Sequence, residues 1–194
     1  MLGLINRSIQ NFLTDTYGPD LWRQVAHRVG APTEGYEPML RYPDRETLGL
    51  LKAAGAELRR SRPELLEDLG AHLTTCEPVR RLLRYGGQDF AGFLYSLNEL
   101  HGRARMALAD LDLPELDLVE IGLGEYRLTI EAPHPGWGAV MAGLMRAMAD
   151  DYGALAVIEM PTDCDMEAVH IRLLDCRHSE ARGFRLSHHV GAQG

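Results

Sequence analysis

The chain has 194 residues, 45% of them hydrophobic and 25% charged, with 20 Lys and Arg against 28 Asp and Glu for a net charge of −8. That length suits one domain with a core able to enclose a small molecule, and the acidic balance disfavours a nucleic-acid partner. No apolar run approaches the ~20 residues of a membrane span, and Cys76, Cys164 and Cys176 form neither a C-x-x-C metal site nor a disulfide framework, so a cytoplasmic protein is expected.

Leu4, Ile5, Ile9, Phe12 and Leu13 fall at helical spacing and predict a first helix over Leu4 to Phe12, closed by Thr16-Tyr17-Gly18-Pro19. Asp20 to Val29 predicts a second short helix that stops at Gly30, and Ala31 to Tyr42 a connector. Pro43-Asp44-Arg45-Glu46 opens a helix carrying Leu48, Leu51, Ala54, Ala56 and Leu58. Another runs from Pro63 to Leu73, with proline in its favoured first turn. Pro78 to Tyr85 is a short helix ending at Gly86-Gly87. Asp89 to Leu108 then predicts one long helix, because Phe90, Phe93, Leu94, Leu97, Leu100, Ala104 and Leu108 keep the 3.6-residue period. His101 follows Leu97 by four residues and so lies on or beside that buried stripe.

After Pro114 the period becomes two. Leu116, Leu118 and Ile121, then Tyr126, Leu128 and Ile130, predict a β-hairpin. Gly138 to Asp151 is a helix whose Met141, Met145 and Met148 read as adaptable core rather than a ligand set. Leu155 to Met160 and Ala168 to Leu174 predict two further strands. From His178 the chain is polar, and His188-His189 in that glycine-containing tail read as a tail feature rather than a metal site. Helices first, then strands around one helix, make an α+β fold. No G-x-S-x-G, Walker A or H-E-x-x-H motif is present, and Gly122-Leu123-Gly124 lacks both a third glycine and a following helix; an enzyme is not expected.

Several motifs in order carry a more specific likeness: Met1-Leu2-Gly3-Leu4-Ile5-Asn6, Tyr17-Gly18-Pro19-Asp20-Leu21-Trp22, Phe93 to His101, Pro114, Gly136, Val140 to Met145, and Asp151-Tyr152-Gly153. Together they resemble the H-NOX family of haem nitric oxide/oxygen-binding domains, and within it the haem domain of the soluble guanylate cyclase β subunit. The resemblance implies an H-NOX fold over residues 1–177. Residues 1–60 would form a distal helical part, 61–177 a proximal helix and sheet part, and 178–194 a tail. It implies haem b, with His101 among Leu97, Leu100 and Ala104 as the iron's axial ligand and Pro114 against the haem plane. Leu4, Ile5, Ile9 and Val140 would line the distal side. Val140 stands where oxygen-binding members carry a tyrosine donor, so the implied ligands are NO and CO, with O₂ excluded. The implied partner is a separate histidine kinase or cyclic-nucleotide signalling enzyme.

One departure bears on the cofactor. The family grips the haem propionates with Tyr-x-Ser-x-Arg, and alignment on Gly136 and Gly143 puts Ile130, Ala132 and His134 there. Ile and Ala offer no hydrogen-bond donor to a carboxylate, which leaves His134 as a substitute contact. The alternative function is therefore a haem-free interaction module, or one that holds another tetrapyrrole. A third is a redox sensor using the cysteines, of which Cys76 reads first as a buried structural thiol.

Overall fold

The computed structural model describes residues 1–32, 34–107, 113–161 and 166–182. Leu108, Cys164 and His188-His189 lie outside the described residues.

The N-terminal half is helical. Helix α1 (Gly3–Tyr17) buries Asn6, Ile9, Phe12 and Leu13 and stops at Gly18, whose φ of 93° is open to glycine at little cost. Pro19 then opens α2 (Pro19–Val29), which buries Trp22, Val25 and Ala26 and ends on left-handed Gly30. The connector returns across the start of α1, where Leu2 bridges to Arg41 and the Gly3 amide donates to Leu40 O at 2.7 Å. Helix α3 (Asp44–Leu58) buries Leu50, Leu51, Ala53 and Ala54. Helix α4 (Arg62–Leu73) begins with a reciprocal cap: Ser61 Oγ accepts from the Glu64 amide, and the Glu64 carboxylate accepts from the Ser61 amide at 2.8 Å. Short α5 (Glu77–Arg84) follows.

The single long helix expected over Asp89 to Leu108 is broken. Helix α6 (Phe90–Ser96), capped by Asp89 Oδ1 accepting from the Gly92 amide at 2.8 Å, gives way to a 3₁₀ turn at Leu97–Glu99 and then to α7 (Leu100–Ala107). The expected hairpin is present as β1 (Glu115–Gly122) and β2 (Glu125–Glu131), joined through Leu123 and left-handed Gly124. Helix α8 (Trp137–Tyr152), β3 (Leu155–Glu159) and β4 (Glu167–Asp175) complete an antiparallel sheet of order β1-β2-β4-β3. The fold is α+β, as the order of periods required.

Two apolar cores result. The helical core joins Ile9, Phe12, Trp22, Val25, Leu50 and Leu65. The sheet core joins Phe90, Phe93, Leu97, Leu118, Leu128 and Ile171. Helix α8 belongs to both, with Ala139 and Val140 in the first and Met141, Leu144, Met145 and Met148 in the second. It crosses α4 with backbone against backbone: a methyl group on Gly70 would run into Val140 O, and one on Gly143 into Glu67 O. Near its far end Asp151, 5% exposed, is held by Arg80 of α5 at 2.6 Å, so that buried carboxylate is compensated.

Candidate functional site

His101 stands in the first turn of α7, half-buried, immediately after the 3₁₀ turn. That turn has a visible cause. Leu100 donates to Leu97 O rather than to Ser96 O, and the released Ser96 carbonyl accepts from Arg103 Nη2 at 2.9 Å. Ser96 Oγ itself turns back to Phe93 O at 2.7 Å. Asn98 leaves the helix ladder and pairs with the backbone of β1, accepting from the Leu118 amide at 2.7 Å and donating to Leu118 O at 3.2 Å. These contacts fix the start of α7 against the sheet. Asn98 and Arg103 carried no signal in the apolar spacing; an asparagine within a helical apolar run was the one hint available.

The His101 ring is oriented by the main chain. Its Nδ1 lies 3.2 Å from the carbonyl oxygen of Pro114, which is itself buried. A carbonyl can only accept, so a hydrogen bond here puts the hydrogen on Nδ1, and in the neutral ring that leaves the lone pair on Nε2. Around the ring's helix, Leu97 and Ala104 are buried, and Leu100 is 8% exposed.

The remaining candidates divide between the two cores. Ile9 and Val140 are buried in the helical core, with Ile5 packed against it, and Leu4 is half-buried at the same end of α1. Ile130 lies in the sheet core at 3% exposure, and Ala132 and His134 are half-buried in the loop before α8. That loop is tied down: the Glu167 carboxylate accepts from the amides of Gly136 and Gly138, and Arg62 Nη2 donates to Pro135 O at 2.6 Å. A cavity of about 300 Å³ opens beside it, lined by Arg62, Leu66, Gly136, Met160 and Glu167 rather than by His101.

His134 meets an acid that the linear sequence did not connect with it. Its Nε2 is 3.0 Å from Asp44 Oδ2, at the first position of α3. The Met1 amino group, 2.5 Å from Asp44 Oδ1, and the His134 ring hold the Asp44 carboxyl below its usual range. Cys76 is half-buried, and burial together with Asp15 pushes its thiol up, away from the thiolate that redox reactivity requires.

His101 thus stands on a helix beside the sheet core, with its ring turned towards a main-chain carbonyl. Residues 2–160 match the model of the haem-NO-binding family, and the chain belongs to that family, the H-NOX domains, which are haem-based gas sensors rather than catalysts. Among curated relatives, soluble guanylate cyclase 89Da of Drosophila melanogaster is 21% identical over 160 residues, covering 81% of this chain and 24% of that protein. Soluble guanylate cyclase gcy-32 of Caenorhabditis elegans is 27% identical over 156 residues, covering 77% of this chain and 23% of that one. The chain thus spans about a quarter of the length of the curated relatives it matches. In fold it is similar to an H-NOX protein from S. oneidensis, with TM-score 0.79, 16% identity and coverage of 91% and 98% of the two chains. It is also similar to one from K. algicida, with TM-score 0.75, 20% identity and coverage of 90% and 97%. Among the described residues no helix is long and apolar enough to cross a membrane.

Proposed function

We propose that this chain is a cytoplasmic, haem-based sensor of nitric oxide in which His101 holds the iron, and that it reports to a separate histidine kinase or cyclic-nucleotide signalling enzyme. The contact between His101 Nδ1 and Pro114 O carries this reading. Metal-bound histidines donate their second ring nitrogen to a carbonyl or carboxylate, which fixes the tautomer and aims the lone pair. The axial position therefore fits the group. The rim fits less well: Ile130 and Ala132 supply no donor, and His134 supplies one.

Haem b held there would provide an iron with one face open to a diatomic gas. Leu97, Leu100 and Ala104 shield the His101 side from water. Ile5, Ile9 and Val140, with Leu4 at the start of α1, would supply an apolar wall whose side chains carry no hydrogen-bond donor. A polar bound dioxygen gains nothing from such a wall, whereas NO and CO depend less on that help. Any pull on His101 would pass back through the start of α7 to Asn98 in the preceding 3₁₀ turn and so to Leu118 of β1, a route by which a partner on the sheet side would read the site.

The test is an absorption spectrum of protein expressed with ample haem, reduced under nitrogen, before and after NO. A Soret band that moves with NO, ignores O₂ and disappears in His101→Gly is expected. An unchanged Soret band in His101→Gly would remove His101 from the iron. A second reading has its own support in the buried, apolar Ile130 and the pairing of His134 with Asp44: a haem-free interaction module, or a holder of another tetrapyrrole. A colourless protein that also refuses added haemin would favour it.

A further inference from the structure

We propose that Arg103 is a positioning residue for His101: it holds the Ser96 carbonyl out of the helix ladder, and the 3₁₀ turn so maintained sets the direction of the imidazole. The proposal rests on the reading above only in taking His101 for the ligand; the geometry of the turn stands without it. Each residue of a 3₁₀ helix turns by about 120° and rises about 2.0 Å, against about 100° and about 1.5 Å in an α-helix. Over Leu97–Glu99 the difference comes to about 60° of rotation and about 1.5 Å of rise. A continuous α-helix would therefore aim the His101 ring elsewhere, and its 3.2 Å contact with Pro114 O would be lost.

Three observations tie that turn to Arg103. Ser96 is buried, so a carbonyl released from the ladder there needs a partner inside the protein. Arg103 Nη2 is that partner, at 2.9 Å, while Leu100 turns its amide to Leu97 O. The guanidinium reaches the carbonyl because the chain between α5 and α6 leaves space for it. A methyl group on Gly86 would run into Ser96 Oγ and come within 3.0 Å of Arg103 Nη1. The contact also costs desolvation, since Arg103 Nε is buried without a hydrogen-bond partner among the described residues. The side chain is therefore not held there by a saturated network of its own. Without Arg103, the Ser96 carbonyl is satisfied by the Leu100 amide, which closes an α turn. Residues 96–103 thus have two arrangements that differ in which donor takes one oxygen, and Arg103 decides between them.

The test reads the imidazole directly, by ¹⁵N spectra of the histidine-labelled full chain at about pH 8, where an unperturbed ring is neutral. The His101 signals are those missing in His101→Gly. The unsubstituted chain should carry the hydrogen on Nδ1, and a ring with it on Nε2 would overturn the proposal. Arg103→Met keeps the stem and removes the donor. It should move the tautomer ratio about tenfold towards Nε2–H, the worth of one lost hydrogen bond. Arg103→Lys returns a donor and should restore the ratio. An unchanged ratio in Arg103→Met, or an equal shift in Arg103→Lys, would overturn the proposal, since a donor at 103 would not then aim the ring. If Arg103→Met does not fold, Gly86→Ala decides. That variant keeps Arg103 but crowds its contact, so the ratio should shift the same way, and an unshifted ratio overturns the proposal. In the ferrous, haem-loaded chain the iron–histidine stretching band should move in Arg103→Met and return in Arg103→Lys; a band fixed in both would overturn the aiming of a ligand. A Soret band that persists in His101→Gly would remove the haem reading and leave the tautomer result standing, so the two fail separately.

Discussion

His101 and His134 are both half-buried, and each has a ring nitrogen close to an oxygen, at 3.2 Å from Pro114 O and at 3.0 Å from Asp44 Oδ2. The oxygens differ in kind. Pro114 offers a main-chain carbonyl, buried and fixed beside β1, whose backbone is further pinned by Asn98 on Leu118. Asp44 offers a carboxylate on a side chain that is 45% exposed and shared with the Met1 amino group. A ligating position built on the main chain survives side-chain drift around it. A rim position built from side chains alone can change its donor set while the fold persists. That contrast fits the proposed reading, in which His101 would keep the ligating role while Ile130, Ala132 and His134 stand at the rim.

Substitutions sharpen or break this contrast. Asn98→Ala should have the largest effect, about 2 kcal/mol in urea unfolding, since it strips partners from both backbone groups of Leu118. If it costs no more than His134→Ala, the two histidines are held equally and the contrast is lost. Ile130→Tyr should cost about 1.5 kcal/mol, because a phenol enters a position that is 3% exposed and already packed; a neutral result in thermal unfolding would mean the rim still has room for the family's tyrosine. His134→Arg should leave stability within about 0.5 kcal/mol and slow haemin loss to an excess of apomyoglobin. Faster loss would show that guanidinium geometry at 134 does not serve the rim.

The smallest effect concerns a third histidine. Burial lowers the pKa of His72 below its ordinary 6.5, outweighing Asp15 at 3.6 Å, which works in the opposite direction. The folded chain thus binds this proton less readily than the unfolded chain does. The resulting stability is complete above pH 6.5 and is lost as pH falls below that value towards the folded pKa. His72→Gln should flatten the fall of Tm as the pH drops below about 6.5. A steeper slope in the variant would mean that Asp15 dominates.

Much of the fold was legible because period and punctuation agree. Gly18 and Gly30 stop helices where the sequence places them, and the switch from a period of 3.6 to one of two marks the hairpin after Pro114. The first helix runs on to Tyr17, past Phe12, because residues 13–17 need only a terminating glycine and not a further apolar stripe. The break at Leu97–Glu99 was invisible for a related reason: one 3₁₀ turn hardly shifts the spacing of Leu97, Leu100 and Ala104, so the apolar pattern reads through it. His101 could be picked from its stripe and its motif. Asp44 could not be linked to His134, because nothing local at either position records that α3 and the loop before α8 meet. Asn98 and Arg103 likewise act through backbone oxygens and amides, which no residue pattern displays.

Helix α8 carries a consequence for folding itself. Its first turn is packed in one core and its remaining turns in the other, and its glycine contact with α4 leaves no gap into which either could loosen separately. Neither half of the chain can melt while the other keeps its full complement of contacts. Denaturation should therefore be a single cooperative transition, with tryptophan emission from Trp22 and Trp137 and far-ultraviolet circular dichroism sharing one midpoint.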